Sequence, residues 1–336
     1  MVSSFDELMQ VQAAITIAVL EAHHSSWNNR YTVLPHDTDQ VSGVSWDSSI
    51  KYHPLDVIEP LQEMFDRAYE HHDDETLDKF REALRTVFHE NIHLLAGPGT
   101  SLAFPLDAYE GKAHKVFEEA VTERATQNEL NNFIAKLGLE RIAPRISAAR
   151  APDAYGAYVP AVDAFSAAVG ADVGLDADDV IRRMAVVNSA EKFPVAAELL
   201  YSKHLSQLVP ETAKADAVRR IAEAMHAPFA AVHGYNSRDH DDVRMSALAG
   251  RSAFRKASAE VEKVAAEWSG NQDLRRTLDA GLGATTPLHK PQRDGHTSEG
   301  PHAGDAESRQ PPSWSAKPAD RRRPTPGPGP ARLSGD

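Results

Sequence analysis

Apolar side chains recur every three or four residues over most of the first 283 positions, which is the spacing typical of amphipathic helices. In the first such stretch, residues 5–24, one face carries Leu8, Val11, Ile15 and Val19. Further helices are predicted at approximately 55–70, 75–95, 112–137, 154–169, 177–187, 194–208, 213–225, 241–268 and 273–282. The pattern therefore predicts a predominantly helical protein.

One region departs from this helical pattern. Residues 31–34 and 41–52 are rich in β-branched and aromatic side chains, and turn residues at 35–37 and 42–43 interrupt them. Such a pattern is typical of two or three short strands. The expected fold class is α+β, predominantly helical, with few short strands.

The composition changes abruptly after Ala284. Residues 285–336 contain ten of the chain's 21 prolines, two leucines and no Val, Ile, Phe, Tyr or Met. This segment cannot bury enough apolar surface to offset the entropy lost on ordering, so it is predicted to be a disordered Pro/Gly/Arg-rich tail. Its Arg321-Arg322-Arg323 run, followed by prolines, is a candidate binding segment for a protein partner.

Charge and cysteine content exclude several classes of function. The chain has 36 Lys and Arg against 49 Asp and Glu, which gives a net charge of −13 with neutral histidines. This acidity argues against nucleic-acid binding and against binding to anionic membranes. Without cysteine there is no disulfide, thiol nucleophile or Cys-ligated metal, so any metal ion must bind to His and carboxylate ligands.

The N-terminal segment does not have the pattern of a targeting sequence. It lacks a basic n-region, and no window of about 18 residues is uninterruptedly apolar, so neither a secretory signal peptide nor a transmembrane helix is predicted. We expect a cytoplasmic protein, with export by a signal-independent route as the alternative.

The third predicted helix contains His89-Glu90-Asn91-Ile92-His93, an H-E-x-x-H motif. Helical residues i and i+4 project from nearly the same side, so both imidazoles can bind one cation while Glu90 stands beside its open coordination position. This arrangement suits Zn²⁺ and the activation of its bound water. Because both histidines lie away from the helix's apolar stripe, they are expected to face a cleft or open water.

The next predicted helix, 112–137, is apolar on two sides and is therefore expected to be largely buried. Glu119 and Glu123 nevertheless occupy the same stripe as Val116 and Leu130. A buried carboxylate is costly unless it is paired or binds a metal, so Glu119 is predicted to be the third zinc ligand. Glu123 is predicted to accept the free N–H of a ligand imidazole.

Two other residues remain alternatives for the third ligand: Asp107, in the segment between these helices, and His114, at the start of the second helix. Glu118 is easily confused with Glu119, but it projects about 100° away and no carboxylate follows it at i+4. A longer motif with a third histidine on the same segment is absent, since Ala96 and Gly99 stand where it needs Gly and His.

These positions resemble the zincin metallopeptidases, in particular the gluzincins, which have H-E-x-x-H on one helix and E-x-x-x-D/E on a later one. The resemblance covers approximately residues 31–137. It implies hydrolysis of a peptide bond in a peptide or protein substrate, with Glu90 as general base and zinc bound to His89, His93 and Glu119.

The predicted domain organisation is a zincin-like zinc-binding domain over residues 1–147, a helical region over 148–284 that packs on it, and the tail over 285–336. Such enzymes commonly need a further donor for the developing oxyanion. The candidates later in the chain are Tyr155, Tyr158, His204, His226 and His233. Tyr158 and Tyr155 are preferred because the glycine between them permits close approach to a site.

The predicted function is therefore that of a zinc-dependent metallopeptidase in which Glu90 takes a proton from the metal-activated water. The alternative, from a different class, is a non-catalytic helical interaction or scaffold protein that retains a zincin-like fold. A third possibility is a metallopeptidase effector that acts on another cell's proteins. Its composition would be the same as that of a housekeeping peptidase, so the sequence does not separate the two.

Overall fold

The computed structural model describes residues 1–98, 111–152 and 154–283, with side chains in the last helix described as far as residue 272. The predicted tail and the alternative ligand Asp107 lie outside the described residues. The helices of the described part are α1 Phe5–Leu20, α2 Glu59–Asp66, α3 Asp74–His93, α4 Lys112–Leu137, α5 Val159–Val173, α6 Ala177–Ala185, α7 Lys192–His204, α8 Glu211–Val232 and α9 His240–Gly283. The prediction of a predominantly helical protein is confirmed.

Five short strands accompany these helices in the described part of the chain. They are β1 His24–Ser25, β2 Tyr31–Val33, β3 Ser42–Val44, β4 Ile50–Tyr52 and β5 Leu95–Ala96. The predicted β region forms a three-stranded sheet of order β2-β4-β3, in which β2 is parallel and β3 antiparallel to β4. Strands β1 and β5 pair separately, and they were not predicted because two residues carry no periodicity.

Strand β3 lies at the edge of its sheet. The bonds from His53 N to Val41 O and from Ser45 N to Ser49 O show that the odd-numbered residues of this segment pair with β4. In an antiparallel ladder the intervening residues direct their backbone groups to the opposite side. The N–H and C=O groups of Ser42 and Val44 therefore point away from β4, along the outer edge.

Helix α4 is at the centre of the hydrophobic core. It packs against α1 and α3, which precede it, and against α5, α6 and α8, which follow it. Its side chains are buried over most of residues 113–126, including three glutamates. Residues 1–284 form one compact unit, so α4 joins the predicted N-terminal domain and the helical region through a shared core.

Several predicted helix ends were wrong, and α8 and α9 extend furthest beyond theirs. Helix α8 continues past Pro228 to Val232, although proline lacks the N–H of a helical hydrogen bond. Helix α9 runs without a break through the Trp268-Ser269-Gly270 sequence, which was expected to separate two helices. A glycine in a helix costs only about 1 kcal/mol relative to alanine, which is too little to end a helix held by packing. None of the described helices has both the length and the apolar character required to cross a membrane.

Candidate metal centre

The last turns of α3 place the H-E-x-x-H residues against α4. The helix begins behind Asp73, whose side chain accepts a hydrogen bond from Thr76 N, and its first turn is acidic, as the helix dipole favours. Arg85, His89 and His93 follow each other at intervals of four residues and so share one face. Contacts with the glutamates of α4 show that this face meets the central helix.

The side-chain atoms of the three predicted ligands converge. His93 Nε2 lies 3.0 Å from His89 Nε2, and Glu119 Oε2 lies 3.5 Å from His89 Nε2 and 3.4 Å from His93 Nε2. Ligand atoms that surround a tetrahedral zinc at about 2.0–2.1 Å are about 3.4 Å from one another. His89, His93 and Glu119 therefore form a group that could hold a metal ion.

The other nitrogen of each imidazole faces a carboxylate. His93 Nδ1 lies 2.8 Å from Glu118 Oε1. His89 Nδ1 lies 3.0 Å from Glu123 Oε2, an ion-pair distance with poor alignment for a hydrogen bond. An ionised carboxylate only accepts, so in a neutral imidazole Nδ1 carries the proton and Nε2 presents a lone pair. Two lone pairs and a carboxylate oxygen then converge, and a cation between them removes their repulsion.

The charge of the buried cluster also favours a cation. Glu90, Glu118, Glu119 and Glu123 are at most 6% exposed, and the buried cations that contact this group are Arg85 and Lys192. With neutral histidines the cluster has a charge of −4 + 2 = −2, which one divalent ion balances. The site therefore suits a divalent metal in charge as well as in geometry.

The pKa shifts follow from the same charges. Burial favours the neutral form of His93, but the charge of Glu119 and the contact with Glu118 outweigh burial and raise the pKa of His93 well above its usual value. Burial raises the pKa of Glu119, whereas the two histidines lower it, and the result is a pKa well below the usual range. The raised pKa of His93 and the lowered pKa of Glu119 both show that the cluster favours positive charge.

Glu123, the predicted acceptor for a ligand imidazole, lies beside His89, with its Oε2 3.0 Å from His89 Nδ1. Its Oε2 is 2.9 Å from Arg85 Nη1, and its Oε1 accepts hydrogen bonds from Gln127 Nε2 at 2.9 Å and from the backbone N–H of Ala154 at 3.3 Å. Burial opposes ionisation of Glu123, but the His89 contact and the charge of Arg85 lower its pKa to about 2. The carboxylate is thus held in place from three sides.

Sequence reasoning did not identify three residues of this cluster: Arg85, Glu118 and Lys192. Glu118, set aside because of its direction, is 2% exposed and contacts His93. Lys192 is fully buried, and its Nζ lies 3.3 Å from Glu118 Oε2. The two-sided apolar pattern of α4 was a signal that Glu118 is buried, whereas no local signal marks Lys192, which lies 74 positions later.

Glu90 lies at the wall of a cleft of about 500 Å³. Its Oε1 accepts a hydrogen bond of 2.6 Å from Ser42 Oγ on β3. The cleft is also lined by His93 and Glu119 and by the edge strand from Ser42 to Val44. The expectation that both histidines face a cleft or water is wrong for His89, which is 4% exposed because residues after 148 cover it.

The two preferred tyrosines line the cleft. The ring of Tyr155 stacks on His89, with ring centroids 5.6 Å apart and an angle of 13° between the planes. Tyr158 donates its hydroxyl hydrogen to the carbonyl oxygen of His233 at 3.1 Å. Burial and the nearby charge of Glu119 raise the pKa of Tyr158, so its hydroxyl keeps its proton.

The remaining histidine candidates have other partners. His114 and His226 pack with their ring centroids 4.8 Å apart, and His204 Nε2 lies 2.6 Å from Asp172 Oδ2. None of them belongs to the group of described residues that could hold a metal ion.

The chain matches no protein-family model, and neither a curated protein nor a solved structure matches it. Its function must therefore be inferred from its own residues and their geometry.

Proposed function

We propose that this protein is a zinc-dependent metallopeptidase, with zinc bound to His89, His93 and Glu119 and with Glu90 as general base. The observation that carries the proposal is the buried triangle of two Nε2 atoms and one carboxylate oxygen, with sides of 3.0–3.5 Å, beside a cleft that Glu90 also lines. The zincin-like interpretation of residues 1–147 is part of the same proposal.

The set of ligands favours zinc. Two imidazole nitrogens and one carboxylate oxygen are typical of catalytic zinc sites, which leave a fourth position open for water or substrate. When bound, zinc polarises a substrate carbonyl and lowers the pKa of its bound water. Glu118 contributes by fixing His93 in the tautomer that directs Nε2 to the metal, and Glu123 faces His89 Nδ1 at an ion-pair distance.

Glu90 is suited to accept and transfer a proton. The 2.6 Å hydrogen bond from Ser42 Oγ holds its carboxylate at the wall of the cleft. The hydrogen bond occupies one oxygen, Oε1. A carboxylate has a second oxygen, and this one accepts the proton in the proposed reaction.

The edge of β3 supports a peptide or protein as the substrate. The backbone N–H and C=O of Val44 point away from β4, and this strand lines the same cleft as Glu90. An extended peptide can pair with such an edge through main-chain hydrogen bonds, largely independently of its sequence. The exposed Trp46, 64% accessible, adds an apolar wall for a substrate side chain.

Metal content and peptide hydrolysis test the proposal. The wild-type chain is expected to bind about one zinc ion and to cleave members of a peptide library. Glu90→Gln is expected to retain zinc and to lose activity by about 100-fold or more, the range that a general base contributes. Glu82→Gln is the matched control, because Glu82 is exposed on the same helix and is expected to leave both quantities unchanged.

The alternative class gives a different result in the same experiment. A non-catalytic scaffold with a structural metal would bind zinc in the wild type and in Glu90→Gln and would cleave no peptide. Absence of bound metal after zinc addition would contradict the metal site itself.

A further inference from the structure

Lys192 is a fully buried lysine in contact with the candidate metal centre. Removing an ammonium group from water is strongly unfavourable unless its hydrogens find good acceptors. Lys192 Nζ donates to the carbonyl oxygens of Met184 at 3.1 Å and Val187 at 3.0 Å. Its third neighbour is Glu118 Oε2, at 3.3 Å.

The two carbonyl contacts explain only part of this arrangement. They lie at the C-terminal end of α6, where a cation is favourable because of the helix dipole. An exposed lysine or a neutral donor would serve that end equally well. Burial of the ammonium group is explained by the third contact, because it places a positive charge against a carboxylate that is itself 2% exposed.

Glu118 also contacts His93, one of the proposed metal ligands. Its Oε1 lies 2.8 Å from His93 Nδ1 and accepts a further, longer bond of 3.3 Å from Thr122 Oγ1. The carboxylate is therefore held by Lys192 through one oxygen and holds the imidazole through the other.

We infer that Lys192 is a positioning residue of the metal centre: it holds Glu118 in the orientation that accepts the Nδ1 hydrogen of His93 and so directs Nε2 at the metal. The inference rests on the proposed metal site. It also means that the helical region after residue 148 contributes to the metal centre through Lys192, although the three proposed ligands all precede this region.

The test combines metal affinity with a double-mutant cycle on the full chain. The dissociation constant for Zn²⁺ is measured by competition with a chromophoric chelator in wild type, Lys192→Met, Glu118→Gln and the double variant. Each single variant is expected to weaken binding by about 10- to 100-fold, the usual effect of losing a group that orients a ligand. The double variant is expected to bind about as weakly as either single one, because both act through one chain of contacts.

A spectroscopic signature separates positioning from general destabilisation. In the Co²⁺-loaded protein the visible absorption bands report the coordination geometry, and both single variants are expected to shift them. Arg81→Met is the matched control. Arg81 is also a buried cation that donates to carbonyl oxygens, those of Ile146 and Ser147, but it contacts no residue of the centre. This control is expected to lower stability and leave the Zn²⁺ affinity and the Co²⁺ bands unchanged.

Several results would overturn the inference. Wild-type affinity in Lys192→Met would contradict it, and so would additive losses in the double variant. If Lys192→Met does not fold, the Glu118→Gln variant tests the inference instead. An unchanged Zn²⁺ affinity and unchanged Co²⁺ bands in that variant would contradict it. Failure of the proposed function is recognised separately, by a wild type that binds no zinc or by a His93→Ala variant that binds as well as wild type.

Discussion

Arg85→Met is expected to destabilise the fold strongly without removing any metal ligand. Arg85 Nη1 lies 2.9 Å from Glu123 Oε2, and the two side chains are 8% and 0% exposed. At an effective dielectric constant of 20, two unit charges at this distance attract by about 6 kcal/mol. Removing Arg85 also removes the cost of burying its own charge, so the expected net loss is about 3–5 kcal/mol.

The assay is urea unfolding of the metal-free protein, followed by far-ultraviolet circular dichroism, with a chelator present so that metal binding does not contribute. Arg67→Met is the matched control, because Arg67 forms exposed pairs with Glu63 and Glu70. Exposed pairs contribute about 0–1 kcal/mol, so this variant is expected to unfold close to the wild type.

A second substitution tests the cause. The double variant with Arg85→Met and Glu123→Gln is expected to be more stable than Arg85→Met alone, because it no longer buries an unpaired charge. The electrostatic reasoning would be refuted if Arg85→Met lay within about 1 kcal/mol of the wild type. It would equally be refuted if the Glu123→Gln substitution gave no recovery in the Arg85→Met protein.

Three further predictions concern the metal, the base and the helix packing. Free zinc at about 100 times its dissociation constant is expected to stabilise the protein by about 2.7 kcal/mol, and a thermal scan should show no such shift in a His93→Ala variant. Ser42→Ala removes the donor to Glu90 and is expected to lower kcat by roughly 3- to 10-fold in a peptide-hydrolysis assay, with zinc content by mass spectrometry unchanged. Gly250→Ala is expected to cost about 3 kcal/mol in urea unfolding, because its Cβ would lie 2.0 Å from a carbonyl oxygen of α5. Gly270→Ala on the same helix, which meets no atom within 4 Å, is expected to stabilise by up to about 1 kcal/mol.

The helix phase of α4 was informative because two carboxylates stood on an apolar stripe. That conflict predicted buried positions for Glu119 and Glu123, and both are buried. The same reasoning set Glu118 aside because it projects about 100° from Glu119 and no carboxylate follows it at i+4. It did not indicate that helices from both parts of the chain surround α4 and leave Glu118 only 2% exposed.

Features that depend on distant parts of the chain could not be read from local patterns. The cover over His89 comes from Tyr155, and the buried Lys192 comes from the start of α7. Lys192 does not depart from the ordinary pattern of its own segment, so only the packing of the helical region reveals its contact with the centre. The sequence named Tyr155 as a candidate but did not indicate that its ring covers His89. Strands β1 and β5 were missed for a related reason, since a two-residue strand is defined by its partner.

The outer edge of β3 has a consequence for how the protein behaves in concentrated solution. A strand edge with free backbone groups pairs with any extended chain, including another copy of the same protein. Here Val44 lines the cleft beside Glu90, and the exposed Trp46 is two residues away. In the proposed peptidase, self-association through this edge and binding of a peptide would exclude each other. An added peptide is therefore expected to keep the protein dispersed.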